Sequence, residues 1–578
     1  MTELIEFTRI VSVSPSRIDI EITDIEAFEQ SELELEVGSV LRISDEAGSG
    51  IVAAIESYSI RELPQADGRY TSRMLLQLLP VGSVDSTGKF VRGANKMSIP
   101  PKRTEVASGA LLRAMFSQDD LPDRVAFSVL QQDSNIPVGV SGNSFFGQHL
   151  AVVGSTGSGK STTVARLVQA VLEGESAGAE RRNTHVVFFD AHGEYGPAFP
   201  GSQTLSAQNL DLPYWLMTSA ELEALFVESA EMNSHNQLSQ FRYAVRRNKQ
   251  MYNGNSLTDE ITIDSPVFFS IAEVSRYLDN VNREVVSKKP EDHLRPKLHD
   301  DSFIDRGDER YFKDKLQFAE TSTGKENRAS AGPFNGEFDR FVVRIEQRLA
   351  DRRMQFLLGD PHDPQDGQQV RDRERILRRL VGYVGGSEAN VTRLDLSDMP
   401  YDIVPIVVGM IARLVFEMNV ARKREIGWID VPFMLVLEEA HNYVARGDGR
   451  GNLGARGAVE RIAKEGRKYG VLMMVVSQRP GEISETVLAQ CANFVVMRLA
   501  NPVDKAYIRH LLPDDMGSWM EGISVLPQRH AILIGSAMSA SAVVVIDEVT
   551  DRPSSADVAV LDEWRKEWVE MTPSLGRT

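Results

Sequence analysis

The chain has little cysteine, no long hydrophobic run and no leader pattern, and each shortage excludes a class of protein. Its 578 residues include one cysteine, Cys491, which excludes a disulfide framework and fits a reducing compartment. The longest largely apolar run, Ile403 to Ala412, is far shorter than the ~18 residues that cross a bilayer. Met1 to Ile10 shows no basic segment followed by an apolar one. We therefore expect a soluble cytoplasmic protein without a membrane partner.

The chain also carries fewer basic than acidic residues. Asp and Glu number 82 against 64 Lys and Arg, which gives a formal net charge of -18. This balance excludes a surface that is basic all over, so nucleic acid could be bound only through a local patch or channel. The length corresponds to about four average domains, or to one large α/β domain with insertions.

A glycine-rich loop follows the apolar run that starts at His149. The residues fit the pattern G-x-x-x-x-G-K-[ST] at Gly154, Gly159, Lys160 and Ser161. Glycines let successive backbone N–H groups converge on a phosphate, and the positive end of the following helix adds to the site. Lys160 would reach the β- and γ-phosphates and Ser161 would coordinate Mg²⁺. The alternative is an ordinary glycine turn. The predicted nucleotide-binding residues are Gly154, Ser155, Thr156, Gly157, Ser158, Gly159, Lys160, Ser161 and Thr162.

A second predicted strand, His185 to Phe189, ends at an acidic turn. Asp190 and Glu194 follow it directly. The carboxyl ends of strands in an open α/β sheet face the ligand, so we expect these acids near the phosphates, with Asp190 as a candidate catalytic residue. The alternative is an acidic turn that caps the next element.

A wholly apolar strand, Phe433 to Leu437, delivers two further acids. This is the Walker B arrangement, in which Glu438 would hold Mg²⁺ directly or through water and Glu439 would polarise the attacking water. The first acid is usually aspartate, so this chain departs from the pattern at Glu438. For His441 we expect an orienting or structural role rather than a catalytic one.

The next segment combines basic residues with another strand. From Ala455 to Pro480 six basic residues stand against two acidic ones, a local charge of +4, which is where we expect DNA phosphate or a neighbour's nucleotide. Val471 to Val476 is a buried strand beside Walker B, and Gln478 after it is placed to sense the γ-phosphate.

The remaining chain predicts the domain organisation. Residues 1–103 read as short strands of a small β-barrel or sandwich that ends in a linker, Lys96 to Arg103. Residues 104–211 and 369–550 read as an α/β core, 212–368 as a helical insertion and 551–578 as a tail. Within the insertion, Thr218 to Met232 predicts one amphipathic helix. Phe338 to Leu358 predicts another with five arginines, which form either a solvated face or a basic wall toward DNA or a neighbouring subunit. The tail, Asp557 to Val569, predicts an amphipathic helix that could lie on a partner subunit.

These motifs together resemble the HerA-like ATPases of the FtsK-HerA superfamily. The resemblance covers most of residues 140 to 550 and rests on six motifs in order: His149 to Thr162, Asp190 to Tyr195, Leu212 to Leu216, Leu437 to His441, Glu465 to Gly470 and Ser477 to Pro480. It implies a RecA-like P-loop core headed by a small β-barrel, a homohexamer, ATP and Mg²⁺ as cofactors, and movement of double-stranded DNA through a central channel.

The resemblance also implies partners and a shared active site. Relatives work with a nuclease in DNA-end processing, and others in anti-phage defence work with a nuclease or a sirtuin-like effector. ATP would lie between subunits, so a basic residue of the neighbour should reach the γ-phosphate. Arg467 is the first candidate and Arg461 the second, unless Arg467 pairs within its own subunit or contacts DNA. The alternative function is a nucleotide-dependent ring scaffold that activates an effector. A third hypothesis, a metabolic phosphate-loop kinase, is disfavoured because the sequence shows no acceptor site.

Overall fold

The computed structural model describes residues 5–31, 33, 35–44, 49–64, 70–85, 87, 89–93, 103–173, 183–227, 234–253, 260–324, 328–359, 373–384, 387–447, 453–512, 517–554 and 559–568. Most of the predicted linker from Lys96 to Arg103 lies outside this part. The strands are β1 Thr8–Val13, β2 Ile18–Ile22, β3 Val40–Ser44, β4 Gly50–Pro64, β5 Tyr70–Val84, β6 Phe90–Arg92, β7 Arg103–Val106, β8 Arg124–Leu130, β9 Pro137–Ser141, β10 His149–Val153, β11 His185–Asp190, β12 Gln203–Leu205, β13 Val285–Ser287, β14 Ala329–Ala331, β15 Tyr383–Val384, β16 Ser387–Glu388, β17 Val391–Asp395, β18 Phe433–Leu437, β19 Val471–Ser477, β20 Cys491–Met497, β21 His530–Gly535 and β22 Ala542–Ile546.

The helices alternate with the strands of the core and cluster between β12 and β17. They are α1 Ile25–Gln30, α2 Gly109–Phe116, α3 Gly142–Phe146, α4 Lys160–Glu173, α5 Ser219–Phe226, α6 Ser234–Tyr252, α7 Ile271–Arg283, α8 Arg310–Lys313, α9 Asp339–Ala350, α10 Gln355–Leu358, α11 Arg373–Leu380, α12 Val404–Ile426, α13 Leu453–Glu465, α14 Glu485–Leu488, α15 Pro502–Leu511, α16 Gly517–Gly522 and α17 Val560–Trp564.

An eleven-stranded sheet organises the core. Its order is β12-β17-β11-β18-β19-β10-β20-β21-β22-β8-β9. The first seven strands in this order run parallel, and the pairs from β20 onward are antiparallel. Parallel strands end at one side of a sheet, which we call the carboxyl edge, and start at the other, the amino edge. Both acidic turns and the glycine-rich loop therefore lie at the carboxyl edge.

The central strands are buried because apolar layers cover both faces of the sheet. Residues of β10 alternate between them, with Ala151 and Val153 in one layer and Leu150 and Val152 in the other. This burial explains why the central strands read as continuous apolar runs rather than alternating ones. The mixed α/β class predicted from the sequence is confirmed.

The N-terminal segment forms a separate seven-stranded antiparallel sheet over its own apolar cluster. The strand order is β1-β2-β5-β4-β3-β7, with β6 on β5. Among the described residues β1 and β7 form no ladder, although the Ile5 N–H donates to the Thr104 carbonyl at 3.0 Å. Closure into a barrel stays a prediction.

The region predicted as an insertion carries α5 to α10 and the β13-β14 pair. Its apolar residues join the same cluster as one face of the main sheet, for example Trp215 and Phe241 with Val187. Arg413 of α12 also contacts Glu221 of α5, at 2.8 Å. The helices are therefore packed on the core, and their status as an insertion stays a prediction.

Three predicted helices differ from the structure. Phe338 to Leu358 is not one helix, because α9 ends at Ala350 and extended Asp351 accepts the Arg353 N–H and starts a new turn. Thr218 to Met232 was too long, since α5 ends at Phe226 and residues 228–233 lie outside the described part. In the tail, α17 spans only Val560–Trp564.

One helix, α12, has the length and composition of a membrane span. It runs from Val404 to Ile426, further than the apolar run visible in the sequence. Of its most apolar 18-residue stretch, 67% is buried inside the protein. This is the environment of a core helix, which passes the same compositional test.

Candidate active site

The glycine-rich loop takes a shape that only glycine allows at several positions. Gly157 and Gly159 have φ angles of +73° and +89°, in the left-handed region. A Cβ on Gly154 would lie 2.7 Å from the Ser158 hydroxyl oxygen and 2.8 Å from the Met497 Cβ. The loop then enters α4 at Lys160, whose N-terminus adds its dipole to the same space. These features fit a phosphate cradle.

This loop is braced by two arginines that lie outside the sequence motifs. The Arg498 carbonyl accepts the Ser155 N–H at 2.8 Å, and its guanidinium donates to the Gly157 carbonyl at 3.1 Å. On the other side the Arg529 N–H donates to the Ser158 carbonyl at 2.9 Å. Arg498 directly follows β20, which pairs with β10. Its position at the end of a buried strand could have predicted from the sequence that it lies near the loop.

Lys160 and Glu439 contact each other at the carboxyl edge. Their side chains form a buried ion pair, with 8% and 7% of their surfaces exposed. Glu439 has a φ of +46°, a left-handed conformation that non-glycine residues adopt only under constraint. Its Oε2 atom is buried, accepts no hydrogen bond among the described residues and lies 3.2 Å from His441 Nδ1. The two predicted catalytic groups are thus adjacent.

Glu438 is turned toward the neighbouring acidic turn. Its Oε2 atom accepts the Ala191 N–H at 3.1 Å, and its carbonyl accepts the Tyr443 hydroxyl. Burial, with Asp190 and Glu194 close by, raises the pKa of Glu438 well above its usual range. A cation beside these carboxyl groups would relieve that repulsion.

Asp190 is buried and faces inward. Its carboxylate accepts the N–H groups of Glu194 at 3.1 Å and Tyr195 at 3.0 Å, and it pairs with Arg393 at 3.0 Å. Burial raises its pKa, and the two amides and the arginine oppose that rise. Asp190, which the sequence predicted as catalytic, therefore holds the turn together, and Arg393 was missed. An arginine inside the buried strand β17 was the signal.

Ser161 fits a magnesium site. The Ser161 hydroxyl donates to Glu194 Oε1 at 2.7 Å. Glu438 accepts the N–H of Ala191, which belongs to the same turn as Glu194. Hydroxyl and carboxylate oxygens are the ligands that Mg²⁺ takes, together with phosphate oxygens and water. Within the described residues no group of three or more metal-binding side chains forms a cage of its own. The donor set suits an ion bound jointly with a nucleotide.

Gln478 and His441 connect β19 to this site. The Thr156 hydroxyl of the loop donates to Gln478 Oε1 at 2.7 Å, so Gln478 contacts the loop, and its role in sensing the γ-phosphate stays a prediction. His441 Nδ1 lies 3.1 Å from the Ser477 hydroxyl and 3.2 Å from Glu439 Oε2. Burial lowers the pKa of His441, which keeps the ring neutral. An orienting role for His441 fits these contacts.

The two predicted arginine fingers lie away from this site. Arg467 is exposed in the turn just before β19, at the amino edge, and Arg461 lies on the last turns of α13. The seven residues of β19 separate Arg467 from the carboxyl edge, a distance on the order of 20 Å. Arg467 therefore cannot reach the phosphates bound by its own subunit, and the Arg461 guanidinium lies over the Phe416 ring at 4.9 Å and 3.8 Å from Glu465.

The basic stretch from Ala455 to Pro480 is therefore divided between two edges. Arg456 and Arg479 lie toward the carboxyl edge, where they approach Glu460 at 2.7 Å and Glu482 at 3.9 Å. Lys464 and Lys468 are exposed with Arg467 at the other end of the crossover. The predicted single patch is two, because α13 runs from one edge to the other.

Comparisons with known proteins agree with this geometry. Residues 125–323 match the family model of the helicase HerA central domain. The chain is 25% identical over 426 residues to the DNA double-strand break repair helicase HerA of Sulfurisphaera tokodaii, which covers 72% of this chain and 68% of that protein. It is 26% identical over 455 residues to the protein of that name from Saccharolobus solfataricus, which covers 79% and 74%.

Solved structures give weaker matches. The structure of VirB4 of Thermoanaerobacter pseudethanolicus aligns with 74% of this chain and 98% of its own, at 12% identity and a TM-score of 0.45.

Proposed function

Because this chain is a HerA-like P-loop ATPase, we propose that it hydrolyses ATP in a hexameric ring and thereby moves double-stranded DNA through the ring's channel. The observation that carries the proposal is the division of the catalytic groups between two edges. The carboxyl edge holds the phosphate loop and the carboxylates, and the amino edge holds the exposed Arg467, which we assign as the arginine supplied to a neighbouring subunit.

Within one subunit the roles follow from the contacts. The loop amides cradle the phosphates, Lys160 leaves Glu439 to bind them, and Glu439 is then free to polarise the attacking water. Ser161 and Glu438 would hold Mg²⁺, which neutralises charge on the phosphates when bound. Gln478, joined to Thr156, reports whether the γ-phosphate is present.

A second subunit completes the site. Arg467 is exposed and stays charged at any physiological pH, and its planar fork matches phosphate oxygens. At the amino edge it is presented outward, toward a neighbour in a ring. Hydrolysis would then depend on assembly, and Arg461 is the second candidate for this role.

DNA and a further protein complete the proposal. The relatives named above are DNA double-strand break repair helicases, which supports a DNA substrate. We propose further that the chain acts with a nuclease or other effector in DNA-end processing or anti-phage defence, which is what its motif resemblance implies. Since the chain is acidic overall, we place the DNA contacts on local basic segments that face the channel.

The test combines turnover with movement. We expect ATP hydrolysis by the wild-type protein to rise several-fold with double-stranded DNA and a DNA-bound roadblock to be displaced in an ATP-dependent manner. Lys160→Ala should abolish both, because the charge that holds the transferring phosphate is lost. The exposed variant Glu173→Gln, on the same helix, is the control. Turnover that DNA leaves unchanged but a bound effector accelerates would instead identify a scaffold.

A further inference from the structure

The turn after β11 is fixed from inside by one buried ion pair. Asp190 accepts two backbone N–H groups of the turn and is held in turn by Arg393. The Arg393 guanidinium also donates to the Thr204 hydroxyl at 3.1 Å and approaches Asp395 at 3.4 Å. An arginine can make these contacts at once because its donors form a rigid fork, whereas a lysine presents one charged nitrogen.

The same turn is tied from outside by the chain that follows β22. The Ser554 N–H donates to the Glu194 carbonyl at 2.8 Å, and the Ser554 hydroxyl donates to the same oxygen at 3.2 Å. Nearby, the Gln169 amide bridges the Ala198 and Asp551 carbonyls at 3.0 Å each. The backbone of Glu194 is thus held from both sides.

What this turn presents to the nucleotide is the Glu194 side chain. Its Oε1 atom accepts the Ser161 hydroxyl hydrogen at 2.7 Å. A serine hydroxyl has one hydrogen and two lone pairs, so donating to Glu194 leaves the lone pairs free for a metal ion. Groups that orient a metal ligand in this way typically contribute 10- to 100-fold in metal affinity.

We propose that Glu194 is a positioning residue that orients the Ser161 hydroxyl toward Mg²⁺, and that Arg393, acting through Asp190, holds Glu194 in place. This inference rests on the proposed function, because Ser161 is a magnesium ligand only if the loop binds a nucleotide. It gives Asp190 a part in hydrolysis without contact to the substrate.

The test measures how magnesium strengthens nucleotide binding rather than turnover. A fluorescent ADP analogue is titrated into the full-length protein at a series of Mg²⁺ concentrations and in EDTA. We expect Glu194→Gln to raise the half-saturating Mg²⁺ concentration about 10- to 100-fold, with affinity in EDTA within about twofold of wild type.

A double-mutant cycle separates positioning from a general effect. Ser161→Ala should raise the half-saturating concentration similarly, and adding Glu194→Gln to it should change little, because the hydroxyl to be oriented is gone. Additive effects, or a Glu194→Gln protein with wild-type magnesium dependence, would overturn the proposal. A wild-type protein that binds no nucleotide would instead refute the proposed function.

The arginine is tested by a matched pair. Arg393→Lys should shift magnesium dependence in the same direction as Glu194→Gln by about threefold or more. Arg413→Lys, which alters an equally buried arginine 2.8 Å from Glu221, should lower the thermal midpoint but leave magnesium dependence unchanged. If Arg393→Lys fails to fold, Asp190→Asn serves as the second variant. Equal magnesium dependence of wild type, Arg393→Lys and Asp190→Asn would refute the arginine's role.

Discussion

The two edges of the parallel sheet differ in charge and in burial. At the carboxyl edge Glu438 and Glu439 are buried, and Lys160 pairs with Glu439, while at the amino edge Lys464, Arg467 and Lys468 are exposed. Exposed arginines gain most from an anion. The exposed amino-edge cations would therefore gain from phosphates bound at the carboxyl edge of a second copy. This difference favours head-to-tail contact between copies of the chain. Such contacts form a closed ring when the rotations from each copy to the next add up to a full turn.

The largest expected effect comes from breaking the amino edge. Arg467→Ala should lower hydrolysis about 10³- to 10⁵-fold, the contribution of arginine fingers elsewhere. Lys468→Ala, an equally exposed neighbour, should leave DNA-independent turnover unchanged. Mixing Arg467→Ala subunits with inactive Glu439→Gln subunits should restore activity, since an intact arginine then meets an intact glutamate across an interface. Mixed rings that stay inactive would contradict an action in trans.

At the carboxyl edge, Glu439→Gln should lower turnover about 10²- to 10⁴-fold while ATP still binds. The amide cannot take a proton from water, but it keeps the size of the side chain. Single-turnover hydrolysis and nucleotide binding measured on one preparation check this, with Glu173→Gln as control. Turnover within about twofold of wild type would remove Glu439 from the site.

A smaller effect is expected from the exposed lysines. DNA binding should be independent of sequence and fall steeply with salt, because phosphate contacts release counterions. The double variant of Lys464 and Lys468 to Gln should reduce the slope of log affinity against log salt by about 2. Replacing Lys313 and Lys566, which are exposed and paired with glutamates, should not change it. An unchanged slope in the first variant would place the DNA elsewhere.

The smallest effect concerns stability. The pKa of Glu438 is raised in the fold, so above its unfolded value of about 4.3 the folded state binds more protons than the unfolded state, and Glu438 lowers stability as pH rises. Without nucleotide and Mg²⁺, Glu438→Gln should raise Tm at pH 8 and raise it less at pH 5. Calorimetry at both pH values checks this. A gain independent of pH would contradict the charge argument.

Local patterns predicted many elements closely. Strand β18, for example, was predicted with the bounds that the structure has, because its apolar run ends at the acidic pair Glu438 and Glu439. The prediction of a single helix from Phe338 to Leu358 was wrong. Its arginines recur at helical spacing across a break at Asp351, whose side chain caps the next turn.

The site was predictable in composition but not in geometry. The motifs placed Lys160, Gln478 and Glu439 at one edge, because parallel strands end together. They could not show that Asp190 faces Arg393, since the two belong to strands separated by about 200 residues of chain, and their contact depends on β11 pairing with β17. The two-edge division of the basic residues likewise needed the path of α13.

At Glu439 the proposed chemistry requires a carboxylate, whereas the left-handed backbone favours a different residue type. Such a conformation costs an L-residue roughly 1–2 kcal/mol, and glycine or asparagine adopts it more readily. A descendant of this gene released from selection for hydrolysis should therefore drift at this codon toward glycine or asparagine. Survival of glutamate there in a lineage is then a record that its members still cleave nucleotide.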